Sequence, residues 1–359
     1  MVQFIIRKAF YGVLVLAGVI VVVFFLFNVL PGDPARMMLG QHADKESLEI
    51  LNRDLGLDRP LAVQFVMYVN DLLPVSVHNA EDSESFLFLD AAKYDAIRLF
   101  SIWGGKQVVL KMPYLRRSYQ SRQKVSELII ETLPETFILA TAAILIALFF
   151  GIIMGVVAAI RRDTWIDNTA LIVSALGMSG PAFFIGIILA WVGGYLLSEY
   201  TGLNMTGSLF TTDDYGRGEY LDLKNLVLPA ITLGIRPLAI VVQLTRSSMI
   251  EVLSHDYIRT AKAKGLPFYA VVVRHALRNA LNPVLTASSG WFAGLMAGAV
   301  FVEYVFGWKG IGNEIVDALN FQDFPVVMGA VLVITTIFVI INIGVDILYG
   351  ILDPRVRLD

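Results

Sequence analysis

Residues 251–283 read EVLSHDYIRTAKAKGLPFYAVVVRHALRNALNP, a polar and mostly basic stretch set between long apolar runs. It carries five Lys or Arg (Arg259, Lys262, Lys264, Arg274, Arg278) against two acids, Glu251 and Asp256. Its two halves meet at Lys264-Gly265-Leu266-Pro267. A glycine there can take the left-handed conformation that ends a helix, and a proline cannot continue the preceding helix, so the spacing predicts helix, sharp turn, helix. A polar hairpin of this length cannot lie in hydrocarbon, and its positive charge places it on the cytoplasmic side of a membrane. An exposed basic turn of this kind is a place for another chain to dock.

The flanking sequence sets the architecture. Of 359 residues, 56% are apolar and 16% charged, and the apolar ones gather in runs of twenty or more, the mark of a polytopic membrane protein. Arg7 and Lys8 precede a run from about Ala9 to Leu30, too long for a signal h-region and followed by no small-residue cleavage site, hence a retained first span. A long extracytoplasmic loop, 31–134, follows, with a helix expected at Asp44–Leu57 and an inserted helix or strand pair within 74–111. The permease core, 135–359, would hold five more spans. The run Thr136–Ile160 carries Gly151-x-x-x-Gly155, a spacing that lets a neighbouring helix come close. The run Ala170–Leu197 has Gly177, Gly180 and Pro181 near its centre, where a helix break is expected. Leu226–Met249 contains Pro229, Arg236, Pro237 and Gln243, and Val284–Phe306 and Val326–Leu352 complete the set. Six spans with both termini inside put eleven Lys or Arg in the inner segments, against Arg217, Lys224 and Lys309 in the two short outer loops.

Several function classes drop out. There is no cysteine, so disulfides, thiol nucleophiles and thiolate metal sites are excluded together. The four histidines lie outside the apolar runs without ligand spacing, and no metal or cofactor is expected. A net charge of −3 says little about partners in a membrane protein, and nucleic-acid binding has no support. No G-x-x-x-x-G-K-[ST] occurs, so the chain should not bind a nucleotide through a P-loop. Gly177-Met178-Ser179-Gly180 fits the G-x-S-G pattern of an intramembrane hydrolase, but a serine nucleophile needs a base and no histidine lies in any span. A non-transporting membrane scaffold is the remaining alternative. Arg236 and Gln243 sit where polar groups cannot cheaply face lipid, which leaves Arg236 two roles: binding substrate carboxylates in a cavity, or a structural ion pair or bonds to carbonyls at a helix break.

The order of residues within the hairpin goes further than its composition. Asp256-Tyr257-Ile258-Arg259-Thr260-Ala261-Lys262-Ala263-Lys264-Gly265, followed by Arg274-His275-Ala276-Leu277-Arg278, resembles the cytoplasmic coupling loop of binding-protein-dependent ABC transporter permeases, in their oligopeptide, dipeptide and nickel branch. TRSSMIEVLSHDYIRTA, FVEYVFGWKGIG, FQDFPVVMGAVL and DILYGILDPRVR extend the resemblance over nearly the whole chain apart from about 74–111. Lys309 stands where that family usually has proline, which puts the shape of the outer turn in doubt. The resemblance implies an all-helical inner-membrane permease without catalytic residues, working beside a second homologous permease. It also implies two ABC ATPase subunits inside, a solute-binding protein outside, and peptides or related small solutes such as nickel complexes as cargo. On that reading Asp256, Arg259, Thr260, Ala261, Lys262, Lys264 and Gly265 form the ATPase-coupling loop, and Arg236 and Gln243 are candidates to line the pathway.

Overall fold

The structure is a computed structural model and describes residues 2–29, 56, 58–80, 82, 85, 87–90, 93–102, 105–213 and 218–352. The helix expected at Asp44–Leu57, Gly56 excepted, and the tail Asp353–Arg357 lie outside these. Among the described residues the fold is mostly helical with no closed sheet, and helices satisfy their own backbone within a membrane. Its principal helices are α1 (Val2–Val29), α2 (Leu61–Leu72), α3 (Val125–Ile160), α4 (Trp165–Ser179), α5 (Ala182–Leu189), α6 (Lys224–Leu253), α7 (Asp256–Ala263), α8 (Arg278–Gly298), α9 (Val300–Phe306), α10 (Ile311–Asn320) and α11 (Phe324–Leu352). Gln3–Phe27, Val125–Ile160, Lys224–Leu253 and Phe324–Ile347 are long and apolar enough to cross a bilayer. The pair Trp165–Ser179 and Ala182–Leu196, bent by 108°, can supply a fifth crossing. The run expected as the span after the hairpin is helical as α8 and α9, but Asn282, Ser288, Gly290 and Gly294 keep it below the apolarity of the others.

The chain forms two compact units: Met1–Ala9 with Thr132–Val316 and Thr336–Asp359, and Phe10–Glu131 with Asp317–Thr335. In the larger, α3 and α6 lie in close apposition. A Cβ on Gly151 would come within 2.7 Å of Val241, and one on Gly155 within 2.6 Å of Thr245 and 2.8 Å of the Val242 carbonyl. The approach is reciprocal, since a Cβ on Gly234 would meet the Ala143 carbonyl at 2.9 Å. Around this crossing Leu139, Ala140, Ala143, Ala230, Leu233, Met296, Val302, Phe306 and Trp308 form the main buried cluster. Pro229 and Pro237 both lie inside α6, which stays helical through them.

The expected break in the bent span is present. The helix α4 ends at Ser179, Gly180 is extended at φ −83° and ψ 147°, and Pro181 begins the next segment, its carbonyl accepting from Phe184 and Ile185. A polar network fixes the turn between α9 and α10. Glu303, fully buried on α9, accepts from the backbone N–H groups of Gly312 at 2.7 Å and Asn313 at 3.2 Å, at the N-terminus of α10. The Trp308 indole donates to the Glu135 carbonyl at 3.1 Å, and Ser208 donates to the Glu135 carboxylate. Lys309 settles the question its identity raised, because its backbone N–H donates to Ser208 Oγ at 3.1 Å, a bond that proline could not make.

In the smaller unit, β1 (Val75–Asn79), β2 (Ala96–Ser101) and β3 (Lys106–Lys111) form an antiparallel sheet in the order β1-β3-β2, so the inserted segment takes the strand form of the two alternatives. Asp71, near the end of α2, ties helix to sheet. Its carboxylate accepts from the Tyr94 hydroxyl at 2.5 Å, and its carbonyl accepts from Lys111 Nζ at 2.5 Å and the Tyr114 N–H at 2.9 Å. Burial pushes the Asp71 carboxyl above the usual carboxylate range, the Arg116 guanidinium pulling it the other way. Asp323, just before α11, accepts from Ser118 Oγ and from the backbone N–H of Tyr119 at 2.9 Å.

The α3–α6 crossing yields a direct test. Gly155→Val must push the two backbones apart, and overpacking of this kind costs about 1–3 kcal/mol. The thermal unfolding midpoint of the purified protein should fall; an unchanged midpoint would contradict the close crossing.

Candidate functional site

The basic hairpin begins where α6 ends. The Ser254 N–H turns back to the Glu251 carbonyl at 3.1 Å, and His255, extended at φ −70° and ψ 150°, separates α6 from α7. Two residues of α7, Ile258 and Ala261, are buried, while Asp256, Tyr257, Arg259, Thr260 and Lys262 face outward, as does Lys264 beyond its end. Asp256 in the first turn and Lys262 in the last suit the helix dipole. The exposed Arg259–Asp256 pair, at 3.3 Å, adds little to stability.

The end of α7 is a two-bond helix cap built on glycine. The Gly265 N–H donates to the Lys262 carbonyl at 2.9 Å, and the Leu266 N–H reaches back to the Ala261 carbonyl at 3.4 Å. Gly265 itself is left-handed at φ +77°, with open space where a Cβ would stand, so backbone conformation and not crowding selects glycine here. Pro267 then starts the return segment Phe268–Ala270, which passes through a π-helical stretch, Val271–Leu277, into α8.

The hairpin is fastened down from beneath. Ile258 and Ala261 pack with Ala159 of α3, Met249 and Val252 of α6, and Val271, Val272, Ala276 and Ala280 of the return arm. Asn279 Nδ2 adds a hydrogen bond to the Tyr257 hydroxyl at 2.8 Å. The result is an apolar base with a basic crown, and the residues expected to form the loop divide between them: Ala261 belongs to the base, and Asp256, Arg259, Thr260, Lys262, Lys264 and Gly265 to the crown. Sequence reasoning missed the aromatic part of that crown. Leu266, Phe268 and Tyr269 are exposed around the turn, Tyr269 to 76%, and two adjacent aromatics after a helix-stopping proline were the available signal. The π-helical return arm was also missed; such segments often mark functional positions.

The two candidate pathway residues lie two turns apart on α6. Arg236 is exposed and makes no hydrogen bond or ion pair among the described residues, whereas Gln243 is half-buried with its amide 3.6 Å from Met178 Sδ. Three residues beyond Gln243, Arg246 does find a partner. Its guanidinium grips both carboxylate oxygens of the buried Asp167, the NH2 bond measuring 2.6 Å, and neither residue was singled out from the sequence. The Ser179 hydroxyl donates to the Ala175 carbonyl at 2.7 Å, one turn back, which gives the hydrolase reading no support.

Comparison with known proteins bears on the whole chain. The family described as binding-protein-dependent transport system inner membrane component matches residues 147–358, and its companion N-terminal family matches residues 1–84. The di/tripeptide transport system permease protein DppB of Pseudomonas aeruginosa is 36% identical over 375 residues, covering 99% of this chain and 99% of that protein. The dipeptide transport system permease protein DppB of Alkalihalophilus pseudofirmus is 32% identical over 370 residues, with 99% and 100% covered. The probable D,D-dipeptide transport system permease protein DdpB of Escherichia coli is 36% identical over 371 residues, with 98% and 97% covered.

Proposed function

The chain belongs to the family of binding-protein-dependent transport system inner membrane components, and on that premise we propose that it is the permease through which peptides cross, driven by ATPase subunits seated on the basic hairpin. It is a transport subunit of an ABC importer and not an enzyme. The observation that carries the coupling role is the construction of the hairpin. A short helix with its apolar side sunk into the bundle, its end fixed by a glycine cap and its crown basic and aromatic, is a rigid knob that can take up movement from a partner and pass it on.

The rest of the assembly follows from this reading. Two ABC ATPases bind inside, a second homologous permease completes the pathway, and an extracytoplasmic solute-binding protein delivers cargo. Both termini face the cytoplasm, as the distribution of Lys and Arg favours. The sheet built from 75–111 then lies outside. Peptides are the cargo best supported, because the three relatives described above are named for di- and tripeptides, dipeptides and D,D-dipeptides.

Arg236 and Gln243 would line the pathway. Arg236 is the thirteenth residue of the 30-residue α6, near mid-span, and an exposed guanidinium at that depth cannot face lipid without cost. A peptide carboxylate is its natural partner. Arg236→Gln should leave the complex assembled while lowering uptake about tenfold or more, the loss of one charged hydrogen-bonding interaction of ~1.4 kcal/mol. Failed assembly would instead mark Arg236 as structural.

Gly265→Val tests the seat itself. The left-handed conformation costs a non-glycine residue about 1–2 kcal/mol, enough to loosen the knob and too little to unfold the bundle. The variant should insert and pair with the second permease, yet dock the ATPase more weakly and uncouple hydrolysis from uptake. Uptake and substrate-stimulated hydrolysis at the unaltered levels would show that the hairpin is only a connector.

A further inference from the structure

Arg246 and Asp167 lie 79 positions apart, yet they form a two-point charged contact between α6 and α4. Asp167 is 1% exposed, and besides both prongs of the guanidinium it accepts the Asp163 N–H at 3.0 Å. That third bond closes the turn between α3 and α4, where Asp163 itself is left-handed at φ +61°. One carboxylate therefore joins the end of α3, the start of α4 and the side of α6. Stability alone does not call for such a pair, since well-packed apolar residues commonly serve a buried site as well. What a forked, two-point bond supplies in addition is a fixed orientation.

The position of the clamp gives that orientation a use. On α6, Arg246 is followed within two turns by Met249 and Val252, which belong to the apolar base holding Ile258 and Ala261 of the hairpin. On α4, the clamp sits at the first turn, and the helix then runs about 18 Å, at 1.5 Å per residue, to its end at Ser179. Along the way it stays against α6: a Cβ on Gly177 would meet Ile235 at 2.9 Å, and Met178 meets Gln243. Beyond Ser179 the chain turns by 108° across Gly180–Pro181 into α5. A rod held at one end beside the hairpin and broken at the other is a lever.

We propose that the Arg246–Asp167 clamp is where movement of the hairpin enters the bent helix pair, carrying α4 with α6 as one body and releasing the motion at the Gly180–Pro181 break. Asp167 and Arg246 are thus positioning residues for transport. The inference rests on the reading of the hairpin as the ATPase seat, and the two can fail separately.

The test uses the complete complex, with both permeases, the ATPases and the binding protein, reconstituted in vesicles and supplied with a dipeptide. Asp167→Asn keeps size and an acceptor oxygen but removes the charge, and Arg246→Lys keeps the charge but removes the fork. Both variants should hydrolyse ATP while uptake per ATP falls at least about fivefold, the lower end of usual coupling effects. If either complex fails to assemble, distances decide the matter in a chain with the native clamp. Spin labels on Trp165→Cys and Tyr269→Cys, 75% and 76% exposed at the native residues and introduced into a chain with no cysteine, report α4 against the hairpin. An unchanged distance between nucleotide-free and ATP-trapped states supports the single body, and a changed one overturns it. Undiminished uptake per ATP in assembled Asp167→Asn also overturns the clamp; if Gly265→Val uncouples under the same conditions, the seat stands alone, and if neither variant uncouples, the seat has failed as well.

Discussion

How closely α3 can lie on α6 governs the larger unit. Lipid supplies no hydrophobic drive for helices to associate, so packing and polar contacts between them have to hold the bundle together. Gly151 and Gly155 on α3 and Gly234 on α6 remove the side chains that would hold the two backbones apart. With that crossing in place, α6 becomes the spine from which other parts take their positions. Its far half packs Leu228, Ala230 and Leu233 into the main core, its near half carries Arg246 to Asp167, and its last turns supply Met249 and Val252 to the base of the hairpin. Pro229 and Pro237 within α6 have no N–H to donate to the Asn225 and Leu233 carbonyls, yet the helix runs on through both.

Three carboxylates elsewhere gather donors that stiffen the chain locally. Glu303 acts as an N-terminal cap for α10 and is enclosed so tightly that a Cβ on Gly310 would meet its carboxyl at 2.4 Å. Asp71 and Asp323 gather donors in the smaller unit, Asp71 from Tyr94 and Asp323 from Ser118 and Tyr119. In each case one carboxylate orders a turn, which is why irregular backbone is tolerated beside apolar helices.

Much of this was legible in the sequence where the determinant is local. Gly265 followed by Pro267 marked the hairpin turn, Gly180-Pro181 marked the break, and Gly151-x-x-x-Gly155 marked a close crossing, because glycine frees its backbone and bares its surface while proline fixes its φ. Non-local features were not legible. Nothing near Asp167 announces Arg246, since the pairing exists only once α4 and α6 are side by side. The start of α3 at Val125, ahead of the apolar run at Thr136, was hidden because Glu127, Glu131, Pro134 and Glu135 interrupt hydropathy without interrupting the helix. The strands of 75–111 are five or six residues long, and their alternation is too short to separate strand from helix by period alone. The span after the hairpin was read as an apolar run, yet its serines, asparagine and glycines leave α8 outside the helices apolar enough to cross a bilayer.

The central claim is that the hairpin crown faces an ATPase in the cytoplasm, and one cross-linking measurement addresses it most directly. The chain has no cysteine, so Lys264→Cys introduces a single thiol beside the Gly265 turn. In the assembled, transport-competent complex, a short thiol-to-amine cross-linker should join this chain to an ATPase subunit. Its failure to capture an ATPase from such a complex, or labelling of the same thiol in intact cells by a membrane-impermeant reagent, would contradict the account.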